Sequence, residues 1–248
     1  MRIPQLLLVF FIVTSCRTEK QVHKITAKTI NIDSTIVPAT DIDSIIAPYK
    51  RKLSLAMGEI LSYTPKDLIK KDGTMQSSLG NLMADMCYTM ANPNFKNKYH
   101  KEIDFVLLNY GGIRATLPKG NITTENAFKL MPFENELIVV ELAGNKVEEL
   151  VAYIIANKTA HPVCKNVELK ISENKYDLKI KGKKFDTLTT YKVLTNDYLL
   201  GGGDRMDFFK KPLHSYPLDY KMRDAIIDYF KNTDTINASI DHRITVIR

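Results

Sequence analysis

Two stretches of the sequence place glycines and a charged side chain directly after an apolar run. The first run stops at Asn109, and two glycines then precede Arg114. In the second, Tyr198 begins a short apolar run that continues through Leu200, and three glycines then precede Asp204. Glycine lets a ligand approach the backbone closely, and arginine carries a fixed fork of N–H donors suited to phosphate, carboxylate or ribose oxygens. Together with Phe133, which follows a Met-Pro turn, the pattern predicts a cleft for a flat ligand that bears oxygens.

Each of these pieces alone has a simpler explanation. A Gly-Gly pair after a strand is commonly only a turn, and a phenylalanine after proline is commonly a core residue. Two such arrangements in one chain favour a ligand cleft over two unrelated turns.

The elements that must position these residues follow from hydrophobic periodicity. Helical spacing of apolar residues predicts helices over residues 41–57, with a kink or break at Pro48, and over residues 78–90, 123–130, 145–157 and 220–230. Apolar runs predict strands over residues 59–63, 105–108, 136–142, 191–200 and 244–247, and a hairpin or meander over residues 163–185. Because helices and strands interleave without strict alternation, we predict an α+β fold with mixed β-sheets covered by helices.

Composition and charge narrow the class of ligand. The chain has 248 residues, of which 44% are hydrophobic and 25% charged, as in an ordinary globular protein, and its formal charge is +7. The basic residues are scattered, and the densest group, at residues 179–184, reads as the solvated face of a hairpin. This distribution argues against a nucleic-acid polymer as partner and favours small anionic ligands.

The first residues read as an export signal. Residues 6–13 are all apolar, too short a run for a bilayer-spanning helix, and small residues precede Cys16. The arrangement resembles a bacterial lipobox, which implies a signal peptide over residues 1–15 and a lipid on Cys16. An ordinary signal peptide with a chance cysteine is the alternative. Residues 16–40 read as a polar tether and residues 41–248 as the folded domain, which we expect to be exported and lipid-anchored, facing the periplasm or the exterior.

Cysteine and histidine do not form a recognisable metal or nucleophile site. An exported compartment permits a disulfide between Cys87 and Cys164, but their spacing leaves the pairing open. The helical pattern around Cys87 favours a buried free thiol. His161 lies three residues from Cys164, too few ligands for zinc. We expect His100 and His161 to be solvated loop residues.

Four motifs, in one order, carry a resemblance to a known family. They are Leu-Gly-Asn-Leu-Met-Ala-Asp at residues 79–85, Asn-Tyr-Gly-Gly-Ile-Arg at 109–114, Met-Pro-Phe-Glu-Asn at 131–135, and Asn-Asp-Tyr-Leu-Leu-Gly-Gly-Gly-Asp at 196–204. Residues 41–248 resemble the carboxyl-terminal, substrate-recognition domain of the 5′-nucleotidases, a family that includes UDP-sugar hydrolases. The resemblance implies that family's layered α/β/β/α architecture, and a purine or pyrimidine base stacked between Phe133 and Tyr198.

The resemblance also assigns the other ligand contacts. It implies that Asp204 accepts hydrogen bonds from the ribose hydroxyls, and that Asn109 and Asn135 address the base edge. Gly112 would leave room for the nucleoside, and Arg114 would reach the sugar-phosphate side.

The family's catalytic half is not recognisable in this sequence. Family members hydrolyse phosphate esters with two metal ions held by an amino-terminal metallophosphatase domain. The five histidines of this chain stand in no Asp-x-His or Asn-His-Glu arrangement. We therefore expect no cofactor in this chain, and two divalent metals on a separate metallophosphatase chain. The main hypothesis is the nucleotide-recognition half of a split extracytoplasmic 5′-nucleotidase; the alternatives are a nucleotide- or nucleoside-binding lipoprotein without a hydrolytic partner, and a structural lipoprotein that has lost the ligand.

Overall fold

The computed structural model describes residues 22–173 and 175–247. The predicted signal peptide and Cys16 lie outside these residues. Residues 22–39 form no helix or strand and are exposed, with one turn at residues 33–36. The chain divides into one compact unit that ends at Pro48 and another that begins at Tyr49. Within the described residues, no helix is both long and apolar enough to cross a membrane.

Helix α1, Thr40–Met57, has no buried residue. It is continuous through Pro48, so of the predicted kink or break the break is wrong. Proline lacks a backbone N–H and removes one i to i−4 hydrogen bond, and the remaining bonds of this long helix continue the spiral on both sides.

Helix α2, Ser78–Tyr99, is the main buried helix. It begins as predicted, because the Ser77 hydroxyl accepts a hydrogen bond from the Gly80 backbone N–H at 3.0 Å. It ends at Tyr99 rather than at residue 90, since Ala91 and Phe95 continue its buried face. The remaining helices are α3 (Thr124–Leu130), α4 (Gly144–Asn157), α5 (Asp197–Leu200) and α6 (Met222–Lys231).

Ten strands form three sheets in the described part of the chain. Strands β1 (Ile60–Thr64) and β3 (Gly120–Thr123) make an antiparallel pair. The second sheet has the order β10-β5-β6-β7, with bounds Ile244–Val246, Val167–Ser172, Lys175–Ile180 and Lys183–Lys184. The third has the order β2-β8-β4-β9, with bounds Phe105–Val106, Thr190–Asn196, Glu136–Ala143 and His214–Lys221. Helices and mixed sheets share one hydrophobic core, so the predicted α+β class is confirmed.

The register of the third sheet brings three loops to one edge. Strands β2 and β8 are parallel neighbours, with Val106 opposite Leu194, so both end at the same edge. Strand β4 is antiparallel to β8, with Leu137 opposite Asn196, so β4 begins at that edge. The loops after β2, after β8 and before β4 therefore meet, and they contain the predicted ligand-binding motifs.

Several predicted boundaries are wrong around these loops. Strand β8 ends at Asn196, whose side chain caps α5 by accepting from the Leu199 N–H at 2.9 Å, so residues 197–200 are helical. Strand β9 was not predicted. It is the last strand at one side of the third sheet. It contains Pro217 and a positive φ at Asp219, and its exposed residues lack a clear apolar alternation. The helix predicted from residue 220 begins at Met222 because β9 occupies the preceding residues.

Cys87 and Cys164 are both buried and unpaired, which settles the open question of a disulfide between them. Burial raises the pKa of Cys87 to about 12 and that of Cys164 to about 11, so both remain thiols at neutral pH. The Cys164 sulfur accepts a hydrogen bond from the Val106 N–H at 3.3 Å. Both cysteines therefore act as core residues.

Candidate functional site

A cavity of about 280 Å³ opens at the edge where the three loops meet. All seven residues predicted for ligand binding line it, together with Gly111: Asn109, Gly112, Arg114, Phe133, Asn135, Tyr198 and Asp204. The rings of Phe133 and Tyr198 are 43% and 46% exposed. Two half-exposed aromatic rings at one cavity can still bury apolar area against a ligand.

Residues 109–114, the asparagine loop, follow strand β2. Residues Tyr110–Gly112 form one turn of 3₁₀ helix, and Asn109 is buried. A Cβ on Gly112 would lie 3.0 Å from the Asn109 side-chain oxygen. The absence of a side chain at Gly112 therefore lets the Asn109 amide fold against its own loop.

Residues 201–205, the glycine loop, follow helix α5. Gly202 and Asp204 adopt positive φ angles of 85° and 53°. A Cβ on Gly203 would approach ring atoms of Tyr198 to 2.4 Å, so only glycine lets that ring lie against the loop backbone. The Tyr198 hydroxyl donates to Asp204 Oδ1 at 2.9 Å, and this hydrogen bond raises the pKa of Tyr198.

Asp204 also joins the two loops. Asn109 Nδ2 donates to Asp204 Oδ2 at 2.8 Å. One N–H of the amide that the resemblance assigns to the base edge is therefore used to hold the carboxylate. Each carboxylate oxygen accepts one of these hydrogen bonds and retains capacity for another donor.

Residues 131–135, the phenylalanine loop, are held by Arg223 from the first turn of α6. Arg223 is buried, and its Nη1 donates to the carbonyl oxygens of Phe133 at 3.3 Å and Met131 at 3.5 Å. Arg223 also forms an ion pair with Glu134, and so does Lys221. The hydrogen bonds from these two cations lower the pKa of the Glu134 carboxyl to about 2. Sequence reasoning missed Arg223, because no local pattern connects it to a loop about 90 residues earlier.

Asn135 ties the phenylalanine loop to Tyr198. Its Nδ2 donates to Asp197 Oδ1 at 2.8 Å, and the same oxygen accepts the Tyr198 backbone N–H at 2.8 Å. A carboxylate oxygen can only accept, so this contact fixes which end of the Asn135 amide faces Asp197.

Arg114 forms the positively charged side of the cavity. Its Nη1 lies 3.4 Å from the Gly111 carbonyl oxygen, and its guanidinium lies 5.8 Å from the centre of the Phe133 ring. Lys70 donates to the Ile113 carbonyl oxygen at 2.8 Å and lies 4.2 Å from the centre of the Tyr110 ring. Burial lowers the pKa of Lys70, and the charges of Arg114 and Lys71 lower it further. These neighbouring cations favour an anionic group at this end.

His161 is buried, so its predicted solvated position is wrong, whereas His100 is exposed as predicted. The segment after α4 pairs with the chain leading into the asparagine loop, since the Leu108 N–H donates to the Pro162 carbonyl at 2.9 Å. His161 Nδ1 then accepts the Tyr110 backbone N–H at 3.2 Å. Burial lowers the pKa of His161 to about 4. This tertiary pairing leaves no local signal in the sequence.

Over residues 22–173 and 175–247, no group of three or more His, Cys, Asp or Glu side chains is arranged to hold a metal ion. His161 and Cys164 thus have no further ligand among the described residues.

Comparison with models of known protein families identifies the family of this chain. Residues 62–211 match the model described as 5′-nucleotidase, C-terminal domain, which is more than half of the 248 residues. The chain belongs to this family. The match spans all three loops of the cavity, and the predicted family is confirmed.

Curated relatives in this family are much longer than this chain. The chain is 30% identical over 208 residues to the cell wall protein Lmo0130 of Listeria monocytogenes, covering 71% of this chain and 25% of that protein. It is 27% identical over 218 residues to the trifunctional nucleotide phosphoesterase protein YfkN of Bacillus subtilis, covering 79% of this chain and 14% of that one.

Solved structures agree on the fold. The 5′-nucleotidase precursor of Thermus thermophilus superposes with a TM-score of 0.67 at 22% identity, covering 84% of this chain and 43% of the other. The Haemophilus influenzae NAD nucleotidase NadN superposes with a TM-score of 0.54 at 17% identity, covering 85% and 42%. At these identities the likeness concerns the fold alone.

We predict that Arg223→Ala lowers the free energy of unfolding by about 2–3 kcal/mol, because hydrogen bonds from a charged donor contribute about 1.5–3 kcal/mol. Urea denaturation measures the change. The matched control is Lys146→Ala, which removes an exposed ion pair with Glu149 and should change stability by no more than about 0.5 kcal/mol. Equal stability of Arg223→Ala and the wild type would show that Arg223 does not hold the phenylalanine loop.

Proposed function

We propose that this protein is the nucleotide-recognition half of a split extracytoplasmic 5′-nucleotidase. The observation that carries the proposal is the convergence of Phe133, Tyr198, Asp204 and Arg114 on one cavity. This set offers two ring faces, an acceptor and a cation, which are the groups that complement a base, a ribose and a phosphate.

The base would stack between Phe133 and Tyr198. Both rings are about half exposed, so a planar base can remove much of their remaining apolar surface from water. Stacking on an aromatic side chain contributes about 1–3 kcal/mol per base and tolerates different bases. Asn135 lies at the same cavity and would meet the base edge.

The sugar and phosphate would occupy the two polar sides. Asp204 keeps one acceptor position on each oxygen for a ribose hydroxyl, after its bonds to Tyr198 and Asn109. Arg114, with Lys70 nearby, would attract the phosphate and favour the bidentate geometry that guanidinium makes with phosphate oxygens.

Phosphate-ester cleavage would require a second chain. Two-metal hydrolysis needs a dense cluster of ligands around ions about 3.5–4 Å apart. The described residues provide no such cluster. We infer a separate metallophosphatase that holds two divalent metals and receives the nucleotide phosphate.

Lipid anchoring would bring the two chains together at one membrane surface. A lipid on Cys16 followed by an extended tether would confine the domain near its partner, which raises the effective concentration without a tight interface. The described part of the tether, residues 22–39, is exposed and irregular, as a tether should be. The Listeria relative is a cell wall protein, which supports export. The process served would be nucleotide catabolism outside the cytoplasm.

We predict that Phe133→Ala and Tyr198→Ala each weaken AMP binding by about 1–3 kcal/mol, measured by isothermal titration calorimetry. Tyr198→Phe keeps the stacking ring and loses only the hydrogen bond to Asp204, so it should weaken AMP binding by no more than about 1 kcal/mol. Tyr176→Ala is the matched control, since it removes a partly exposed aromatic ring from strand β6, outside the cavity. Unchanged AMP affinity in the Phe133→Ala Tyr198→Ala double variant would contradict the stacking site.

We predict that the purified chain with Mn²⁺ and AMP releases no phosphate above the rate in buffer, because its metal ligands lie on another chain. Phosphate release is measured with and without EDTA. Release that EDTA abolishes and Arg114→Ala diminishes would overturn the division into two chains. Cross-linking in intact cells then tests for the partner: a chain with a two-metal phosphatase ligand set supports the split enzyme, and its absence favours a nucleotide receptor.

A further inference from the structure

His161 and Tyr153 lie behind the cavity, between the asparagine loop and the glycine loop. His161 Nδ1 accepts the Tyr110 backbone N–H of the asparagine loop at 3.2 Å. The His161 ring packs against the Tyr153 ring, with centroids 5.5 Å apart. The Tyr153 hydroxyl donates to the backbone carbonyl oxygen of Asp204 in the glycine loop at 2.8 Å. The pair, called the brace below, therefore contacts the backbone of both loops.

The brace rests on rigid parts of the fold. Tyr153 belongs to helix α4, and its ring also packs against the Phe208 ring with centroids 5.6 Å apart. His161 is followed by Pro162 and Val163, which pair with Leu108 and Leu107 of the chain that enters the asparagine loop. Both side chains thus connect the two loops to the hydrophobic core.

The two loops need such support. Asp204 and Arg205 adopt left-handed φ angles of 53° and 60°, which a non-glycine residue keeps only where its surroundings impose them. Three glycines precede them and two lie in the asparagine loop, and glycine adds backbone freedom. The Asn109–Asp204 hydrogen bond joins the loops at the cavity face, and the brace joins them from behind.

We propose that His161 and Tyr153 are positioning residues that hold Asn109 and Asp204 in register, so that nucleotide affinity depends on a hydrogen-bond acceptor at residue 161. This inference rests on the proposed function. The inference adds two residues that do not line the cavity and that act through the loop backbones.

The acceptor role requires neutral His161 with its hydrogen on Nε2, since a protonated Nδ1 carries a hydrogen and cannot accept one. Burial lowers the pKa of His161 to about 4, while the nearby Asp204 carboxylate and a hydrogen bond to the Leu108 backbone oppose that shift. The other facing groups are the Tyr153 phenol and, beyond it, Arg205. A histidine held neutral in the fold contributes stability that is complete above its unfolded pKa of about 6.5 and is lost as pH falls toward about 4. At neutral pH the brace is intact.

The test compares His161→Phe, which keeps a ring without an acceptor, with His161→Asn, whose amide oxygen takes the place of Nδ1. Adenosine is the probe, because it has no phosphate to titrate. Hydrogen exchange at the Tyr110 amide is followed by NMR. His161→Phe should weaken adenosine binding and speed Tyr110 exchange by about tenfold each, because the part-buried Tyr110 N–H loses its acceptor. His161→Asn should restore both to within about threefold of the wild type.

The pH profile separates positioning from mere packing. Between pH 6.5 and 4, wild-type protection of the Tyr110 amide should fall relative to that of His161→Asn, after correction for the intrinsic exchange rate. Asp204 and the other carboxylates are common to both proteins, so the difference isolates residue 161. Tyr153→Phe, which removes only the hydroxyl, should weaken adenosine binding about threefold to tenfold, as expected for loss of one hydrogen bond of about 1 kcal/mol.

Two results would overturn the brace. One is wild-type adenosine affinity and Tyr110 exchange in His161→Phe; the other is equal loss in His161→Phe and His161→Asn, which would assign the effect to packing alone. If wild-type protein binds neither adenosine nor AMP, the proposed function fails. The brace is then judged on Tyr110 exchange, where rescue by His161→Asn supports it and equal exchange in all three proteins refutes it.

Discussion

A single hydrogen bond joins two loops of the cavity that lie 95 residues apart in sequence: Asn109 Nδ2 donates to Asp204 Oδ2 at 2.8 Å. It depends on the parallel pairing of β2 with β8, which brings the loops after both strands to the same edge. It also constrains what surrounds it. Asp204 sits at a positive φ, and the same carboxylate holds the Tyr198 hydroxyl, so the orientation of the ring, the acid and the amide is set as one unit.

The loops that line the cavity are held by side chains that lie outside it. Arg223 from helix α6 holds the backbone of the phenylalanine loop, and Asp197 joins Asn135 to the start of helix α5. Each support uses a charged side chain bonded to backbone or amide groups, which fixes geometry more than it adds attraction for a ligand. A cavity that is shaped before the ligand arrives loses less free energy to ordering on binding.

The residues of this site that could be predicted from the sequence are those that belong to local sequence motifs. Phe133, Tyr198, Asp204 and Arg114 stand in motifs that keep their order, and the structure brings them to one cavity. Arg223 and His161 could not be predicted, since their partners lie far away in sequence and the contacts arise only from tertiary packing. The same holds for the fold. Apolar runs predicted most helices and strands. Two parts of the fold depend on packing against neighbouring elements rather than on periodicity: the polar edge strand β9 with Pro217, and the last turns of α2.

The central claim is that the space between Phe133 and Tyr198 receives the base of a nucleotide, and a crystal structure of the protein with AMP tests it most directly. The account predicts the purine ring between the two aromatic rings, the ribose hydroxyls on Asp204 and the phosphate toward Arg114. AMP bound elsewhere, with the cavity between the rings left to solvent, would contradict it.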